Sequence, residues 1–294
     1  MGRSPSSISR ELRRNTGQRG YRPRQAHASA VERSLNSRNA TRIPEATWHR
    51  IYPLLREEWS PEQVAGRLRA DNIFVSHEAI YQRIYADKAG HGDLWRHLRC
   101  QKKRRKRYGS GRDRRGQIRN RRSIDERPLE VAMRDRVGDW EGDTVVGAGH
   151  KGAIVSLAER VTQYVVLEKV KNREADRVAE AAIVGLHPVM PLVETITFDN
   201  GKEFADHEVM ADALKADIYF AHPYSPWERG LNEQVNGLVR QYFPKGMAFD
   251  TITPAMLQRV QDKLNNRPRK SLGFRTPREA MNQAAELKGV ALRI

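Results

Sequence analysis

The sequence is poor in cysteine and in long apolar stretches, and each absence excludes classes of protein. A single cysteine, Cys100, allows no disulfide within the chain and no zinc module built from several cysteines. No run of about 18 apolar residues is present, so we expect no membrane span, and the first residues, MGRSPSSISRELRRN, lack the apolar region of a signal peptide. We therefore expect a protein of a reducing, cytoplasmic compartment, with about two domains.

Positive charge is abundant, but it is confined to one part of the chain. Residues 1–128 hold 31 Lys and Arg against 13 Asp and Glu, whereas residues 129–294 hold 22 against 23. A generally basic protein would spread its charge evenly. The asymmetry instead predicts a region that binds nucleic acid, joined to a neutral domain.

Two stretches in the basic region share one pattern. SPSSISREL (4–12) and SHEAIYQRI (76–84) each have a serine cap followed by apolar residues four and eight positions on, which predicts a helix with one apolar face. The other faces carry side chains that can read base edges or hold phosphates. The predicted DNA-binding residues on these two helices are Ser6, Ser7, Arg10, Arg14, His77, Gln82 and Arg83.

The second stretch is preceded by further helical signals. Ser60 is a predicted cap, Pro61 suits the first helical position, and Gln63 completes a capping box. Apolar residues between 48 and 55 predict another helix upstream, which Pro53 would kink or split. This order is typical of a helix-turn-helix DNA-binding domain, and the alternative is a generic three-helix bundle. The first stretch has no partner helix before it, so it is predicted to be a partial helix-turn-helix.

A strongly basic segment follows. Residues 99–122 contain 13 Lys and Arg in 24 residues, with Gly and Ser, and are too polar to fold alone. We predict a linker that clamps DNA phosphates, and the alternative is a solubilising segment. Its predicted phosphate-binding residues are Lys102, Lys103, Arg104 and Arg105.

The neutral region changes to a strand-like pattern. Val- and Ile-rich residues 143–149, 152–159 and 163–170 predict three strands joined as a meander. Helices and strands then alternate, with predicted helices 173–187, 203–214, 228–242 and 254–265 and predicted strands 194–198 and 216–221. This pattern predicts a mixed α/β sheet.

Acidic residues stand at particular places on these elements. In TITFDNGKEF (195–204) a buried strand ends on Asp199 and the chain turns through Asn200 and Gly201. Ordinary turn chemistry is one explanation, and a carboxylate held at a functional site is the other. On the helix predicted at 228–242, one face carries Glu233, Asn236, Gly237 and Arg240.

Three blocks carry a resemblance to a known family. GDWEGDTVVG, TFDNGKEF and HPYSPWERGLNEQVNGLVRQYFPKG resemble, in order, the catalytic blocks of bacterial transposases with a DDE triad, and the match is closest to the insertion-sequence-thirty (IS30) family. Thirty-three residues separate Asp199 from Glu233, as in that family. The segment LNNRPRKSLGFRTPREA (264–280) is similar to the end of many integrase-type cores.

The resemblance implies an RNase H-like fold, which is a mixed five-stranded sheet flanked by helices, preceded by the all-α helix-turn-helix region. It implies that Asp143, Asp199 and Glu233 are the catalytic and metal-binding residues and that they hold two Mg²⁺ or Mn²⁺ ions. Asp139 and Glu141 would face the same side of a strand as Asp143, so only the resemblance selects Asp143.

The resemblance also implies the reaction and the partners. Water would cleave DNA at the ends of an insertion sequence, and the freed 3′-hydroxyl would attack target DNA. The partners would be element ends, target DNA and further copies of the chain, and the location would be the nucleoid in the bacterial cytoplasm. Asn236 and Arg240 are predicted to contact DNA or to position Glu233, the alternative being a solvated face.

Other residues of these blocks have simpler explanations. Glu203, Asp206 and Glu228 are predicted as acids of first helical turns, and Trp227 as a packing residue. A ribonuclease H or a resolvase nuclease on the same fold would need no recognition helices. A retroviral-type integrase would need a second cysteine for its zinc module.

The predicted domain division is a partial helix-turn-helix at 1–40, made of the recognition helix followed by a linker, a helix-turn-helix domain at 41–98, a basic linker at 99–128 and the catalytic core at 129–294. Family members usually begin with further residues, so we expect either a truncated copy or a late start codon. The alternative function is therefore a truncated, inactive transposase that acts only as a DNA-binding protein or regulator.

Overall fold

The computed structural model describes residues 4–18, 20–35, 43–99, 118–223 and 225–292. The predicted phosphate-binding residues Lys102, Lys103, Arg104 and Arg105 lie outside these ranges. The chain divides into two compact units, Met1–Ile51 and Tyr52–Ile294. In the described residues no helix is long and apolar enough to cross a membrane.

The first unit contains two helices and a short hairpin. Its elements are α1 (Pro5–Asn15), β1 (Thr16–Gly17), β2 (Gly20–Tyr21) and α2 (Pro23–Leu35), followed by the first part of α3 (Glu45–Arg56). Ser4 occupies the predicted cap position, but its hydroxyl bonds the Ser6 and Ser7 hydroxyls rather than the helix backbone. Helix α2 occupies part of the segment that was predicted to be a linker. Ile8 and Leu12 on α1 remain 51% and 44% exposed, so this helix leaves apolar surface uncovered.

The predicted helix pair lies at the start of the second unit, as α4 (Pro61–Ala70) and α5 (His77–Ala89). The Ser60–Gln63 capping box is present, and Ser76 caps α5 by accepting a hydrogen bond from the Ala79 N–H at 3.1 Å. Pro53 does not split α3: it lies three residues before Arg56, the last residue of the helix, and Leu55 beside that end is buried.

The sheet has the strand order β5-β4-β3-β6-β7. Its strands are β3 (Asp139–Val146), β4 (Ala153–Glu159), β5 (Val165–Val170), β6 (Thr195–Phe198) and β7 (Asp217–Phe220). β3, β4 and β5 form the predicted antiparallel meander, and β6 and β7 join them as parallel strands. The predicted mixed five-stranded sheet is confirmed.

Helices cover both faces of this sheet. The helices of the neutral region are α6 (Leu129–Met133), α7 (Ala175–Leu186), α8 (His207–Leu214), α9 (Gly230–Tyr242), α10 (Pro254–Asn265) and α11 (Pro277–Leu287). Because strand side chains alternate between faces, Val155 and Leu157 of β4 join the core with α7 and α8, while Ile154 and Ala158 join the core with α9 and α10. A three-layer α/β/α arrangement results.

The first strand of the sheet is longer than predicted. β3 begins at Asp139 because residues 139–141 pair with β6 and residues 140–146 pair with β4. Asp143 therefore lies inside the strand and does not open it. Gly142 is required there, since a Cβ at this position would lie 2.1 Å from the Phe198 ring.

The segment between α10 and α11, together with the first turn of α11, holds α4 in the second unit. Gln63 donates to the carbonyl of Pro268 at 2.8 Å, and Arg67 makes two hydrogen bonds to Glu279 at 2.9 and 2.6 Å. A Cβ on Gly66 would lie 2.3 Å from the Phe274 ring, so helix and segment are in direct contact. The helix pair and the sheet thus share one compact unit, and the predicted division at 98 and 129 stays a prediction.

Candidate active site

Two of the predicted catalytic carboxylates meet at adjacent parallel strands. Glu141 of β3 pairs with Thr197 of β6, and the same register continued by two residues sets Asp143 beside Asp199, directly after β6. Their side chains are 25% and 29% exposed. The structure therefore places both carboxylates at one edge of the sheet, at a position that solvent can reach.

An arginine that was not predicted lies between these two carboxylates. Arg229 ends a short 3-10 turn (Pro226–Arg229) immediately before α9. Its guanidinium lies 3.9 Å from Asp143 and 3.6 Å from Asp199, and it donates to the carbonyl of Gly142 at 3.0 Å. The sequence signal was weak, because only the spacing of four residues before Glu233 relates Arg229 to the triad.

Helix α9 holds Asp143 from the other side. The Asn236 amide donates to Asp143 at 2.8 Å and accepts from the Ser156 hydroxyl at 2.9 Å. The Asn232 N–H donates to Glu141 at 3.1 Å. Glu233 lies between these two asparagines on α9 and is exposed. Glu233 is thus one helical turn from Asn236, the residue that binds Asp143.

The surroundings of Asp143 make its ionisation less favourable than that of a solvated aspartate. Burial raises the pKa of Asp143, and the nearby charge of Asp199 raises it further. Arg229, the Thr144 N–H and the Asn236 amide act in the opposite direction without cancelling the rise. A bound cation would favour the ionised carboxylate.

The two rival acids of β3 have structural partners. Asp139 is 1% exposed, forms a double hydrogen bond with Arg136 and accepts from the Thr195 hydroxyl. Glu141 is fully buried and pairs with Arg160 at 3.3 Å. Neither side chain is accessible to a substrate, which supports the choice of Asp143.

Glu203 is closer to the site than its predicted role as a first-turn acid requires. It lies on a short 3-10 turn (Lys202–Phe204), where it accepts from the Thr144 hydroxyl at 3.0 Å and from Arg173 at 3.2 Å. A Cβ on Gly201 would lie 2.6 Å from Glu203 and 2.9 Å from Asp199, so Gly201 lets the two acids approach.

The predicted first-turn acid Glu228 accepts hydrogen bonds from the backbone N–H of His222 at 2.8 Å. Its carboxylate also contacts the His222 ring, and Asp125 contacts the other ring nitrogen at 2.9 Å. Hydrogen bonds to Glu228 and Asp125 raise the pKa of His222.

The predicted DNA-binding residues are distributed over three places. Those on α1 and α5 are all exposed: Ser6, Ser7, Arg10, Arg14, His77, Gln82 and Arg83. Arg83 also donates to the Tyr52 hydroxyl at 2.9 Å. Arg240 on α9 donates to the carbonyl of Val146 at 2.7 Å, so it secures the end of β3.

The donor chemistry of the site suits Mg²⁺ or Mn²⁺, since hard cations prefer carboxylate oxygens. Within the described residues, however, no group of three or more His, Cys, Asp or Glu is arranged to hold a metal ion. Arg229 supplies the positive charge between Asp143 and Asp199. The two aspartates therefore have the ligand chemistry for such ions, and Arg229 occupies the space between them.

The sheet order and the helices on both of its faces define the class of fold: an RNase H-like mixed five-stranded sheet. A solved structure, the catalytic core domain of BIV integrase, matches 52% of this chain and 99% of its own at 21% identity and a TM-score of 0.41. No family model matches the chain.

Several curated proteins are similar in sequence to nearly the whole chain. It is 43% identical to the transposase for insertion sequence element IS4351 of Bacteroides fragilis, over 99% of this chain and 90% of that protein. It is 38% identical to the IS1086 transposase of Cupriavidus metallidurans, over 96% and 87%, and 34% identical to the transposase InsI for IS30A of Escherichia coli, over 99% and 78%. The chain belongs to the IS30 family of transposases, which confirms the resemblance.

Proposed function

We propose that this protein is a transposase that cleaves DNA at the ends of an insertion sequence and joins the freed ends to target DNA. The observation that carries the proposal is the position of Asp143 and Asp199 side by side at one sheet edge, with Glu233 on the helix that binds Asp143. Family membership supplies the reaction class.

In this proposal Asp143, Asp199 and Glu233 hold two Mg²⁺ or Mn²⁺ ions. Such ions lower the negative charge of the phosphodiester and activate the attacking oxygen. Asn236 fixes the orientation of the Asp143 carboxylate. Arg229 offsets the charge of the two aspartates while they stand close together.

The reaction has two steps of the same kind. The oxygen of a water molecule attacks the phosphorus at the element end, and the bond to the 3′-oxygen breaks, which leaves a 3′-hydroxyl. That hydroxyl then attacks a target phosphodiester, so one P–O bond forms as another breaks. No covalent intermediate with the protein is needed.

DNA is the proposed partner in both steps. The exposed residues His77, Gln82 and Arg83 of α5 would read base edges, and the basic segment 99–122 would contact phosphates. We propose that the chain acts as a homo-oligomer on paired element ends, at the bacterial nucleoid.

The second candidate is DNA binding without catalysis. The observation in its favour is Arg229, which occupies the position between the two aspartates. On that view the guanidinium would permanently replace the metal ions, and the protein would act as a regulator.

A cleavage and strand-transfer assay separates the two candidates. With Mg²⁺ or Mn²⁺ and DNA carrying the element ends, we expect activity from the native chain and none from Asp199→Asn, because an amide is a poor metal ligand. Asp212→Asn, which changes an exposed acid on α8, is the matched control and should be fully active. Strand transfer by Asp199→Asn would contradict the proposed chemistry, and metal-independent binding without cleavage in all three proteins would favour the regulator.

A further inference from the structure

A cavity of about 450 Å³ lies beside α9, apart from the paired aspartates. One wall is the chain that follows α5, where a short 3-10 turn (Leu94–His97) leads to Arg99. The opposite wall is α9, through Gly237 and Arg240. The cavity thus lies within the second compact unit, between the chain that follows α5 and helix α9.

Positive charge dominates the lining. Arg96, Arg99 and Arg240 line the cavity, and Arg96 and Arg99 are exposed. Glu58 also lines the cavity, but its carboxylate already forms ion pairs with two basic side chains. Lys263 and Arg267 both approach Glu58 to 3.5 Å, and its charge is therefore offset from behind the cavity.

Further arginines crowd the region behind this wall. Arg267 and Arg269 are 2% and 7% exposed. Burial lowers the pKa of Arg269 to about 10, and the charges of Arg267 and Arg99 contribute to this shift. Such crowding of like charges is relieved when an anion binds nearby.

Because Gly237 has no side chain, the cavity reaches the backbone of α9 at this residue. A Cβ on Gly237 would lie 3.7 Å from the Arg99 guanidinium, at ordinary contact distance. Gly237 also follows Asn236, which binds Asp143, and lies one helical turn after Glu233. A group held in the cavity is therefore a close neighbour of the catalytic carboxylates along α9.

We propose that this cavity binds one phosphodiester group of DNA, in the stretch that runs from α5 to the catalytic carboxylates, and that Arg96 and Arg99 hold it. The lining suits an anion, and its volume accommodates a phosphate with part of its sugars. Arg240 has a different role, since its hydrogen bond to Val146 commits it to the cavity wall. This inference rests on the proposed function, because it takes DNA as the ligand.

Two substitutions test the cavity, each with a matched control. Gly237→Asp places a carboxylate beside Arg99, while Gly237→Ala changes the backbone equally and adds no charge. Arg99→Gln removes a cavity charge, while Arg177→Gln removes an exposed charge on α7. DNA affinity of the full chain is measured for element-end and unrelated DNA at several salt concentrations.

We expect Gly237→Asp and Arg99→Gln to weaken binding about eightfold at 0.1 M salt, equally for both DNAs, and to reduce the salt slope by about one. The two controls should bind as the native chain does. The proposal would be overturned if Gly237→Asp and Gly237→Ala had equal DNA affinity and equal salt dependence. It would also be overturned if Arg99→Gln kept the salt dependence of the native chain. The Arg99→Gln result decides the test if the glycine variants fold poorly. If the native chain binds no DNA, the proposed function itself fails.

Discussion

Helices α5 and α9 both carry predicted functional residues of the second unit, but the side chains of the two helices differ in how they are held. On α5 the buried residues Ile80 and Ile84 fix the helix, while His77, Gln82 and Arg83 face solvent. On α9 the side chain of Asn236 is bound on both sides, by Asp143 and Ser156. A surface that reads varied base edges keeps its side chains accessible, whereas a catalytic group needs a fixed orientation.

Asn236→Ala should reveal the largest effect of this difference. Without the amide, the Asp143 carboxylate loses the partner that orients it, and residues that support metal ligands typically contribute 10–100-fold to activity. We expect a strand-transfer rate lower by roughly that factor, with DNA affinity unchanged. Gln234→Ala, on the exposed side of α9, is the control. A fall in DNA affinity with a normal rate at saturating DNA would instead make Asn236 a DNA-contacting residue.

Gln82→Ala should produce the converse result on α5. A bidentate contact to a base edge contributes about 1–3 kcal/mol of discrimination. For the single exposed side chain of Gln82 we expect the lower end, about 1 kcal/mol, so affinity for element-end DNA should fall roughly five- to tenfold. Affinity for scrambled DNA should remain, and so should the strand-transfer rate at saturating DNA. Equal losses on both DNAs would show that Gln82 contacts the phosphate backbone.

Glu279→Gln should have the smallest effect, and one that depends on pH. Burial opposes ionisation of Glu279, but the hydrogen bonds from Arg67 and from the Thr276 N–H outweigh it and lower its pKa. A lowered pKa stabilises the fold above the ordinary pKa of a glutamate, and this stability is lost as pH falls through the lowered value. Both side chains are partly exposed, at 34% and 41% for Arg67 and Glu279.

For such a partly exposed pair we expect a loss of only about 0.5 kcal/mol at pH 7, measured by denaturant unfolding. The difference between Glu279→Gln and the native chain should vanish at low pH. Glu180→Gln changes an exposed acid on α7 and is the control. It should change the stability little. A difference that persists at low pH would show that the amide disturbs packing rather than charge.

Local patterns predicted much of the sheet. The Val- and Ile-rich strands, the Ser60 and Ser76 caps and helix α10 follow from residues close in sequence, and the structure contains them. The start of β3 was missed because GDWE has weak strand propensity and is held in place by pairing with β6. Helix α2 was missed because its composition resembles a linker.

Some residues of the site could also be predicted from local sequence, and others could not. Asp199 was predictable because a strand and a turn mark it locally. Arg229 and Glu203 were not, since their contacts depend on the register of β3 against β6 and on the start of α9. The role of Asn236 was left open between DNA contact and positioning. The structure shows its bonds to Asp143 and Ser156, and the DNA contact stays a prediction.

The segment between α10 and α11, with the first turn of α11, binds α4 and fixes its place in the second unit. Gln63 and Arg67 fasten α4 to the compact unit that carries Asp143. Under the proposed function, the fold would then set the distance between the bases read by α5 and the bond that is cut. One base pair inserted between those two points would rotate the scissile bond by about a tenth of a turn. Under the proposed function, the contacts of Gln63 and Arg67 would oppose that rotation, so the spacing within an element end would be recognised together with its base sequence.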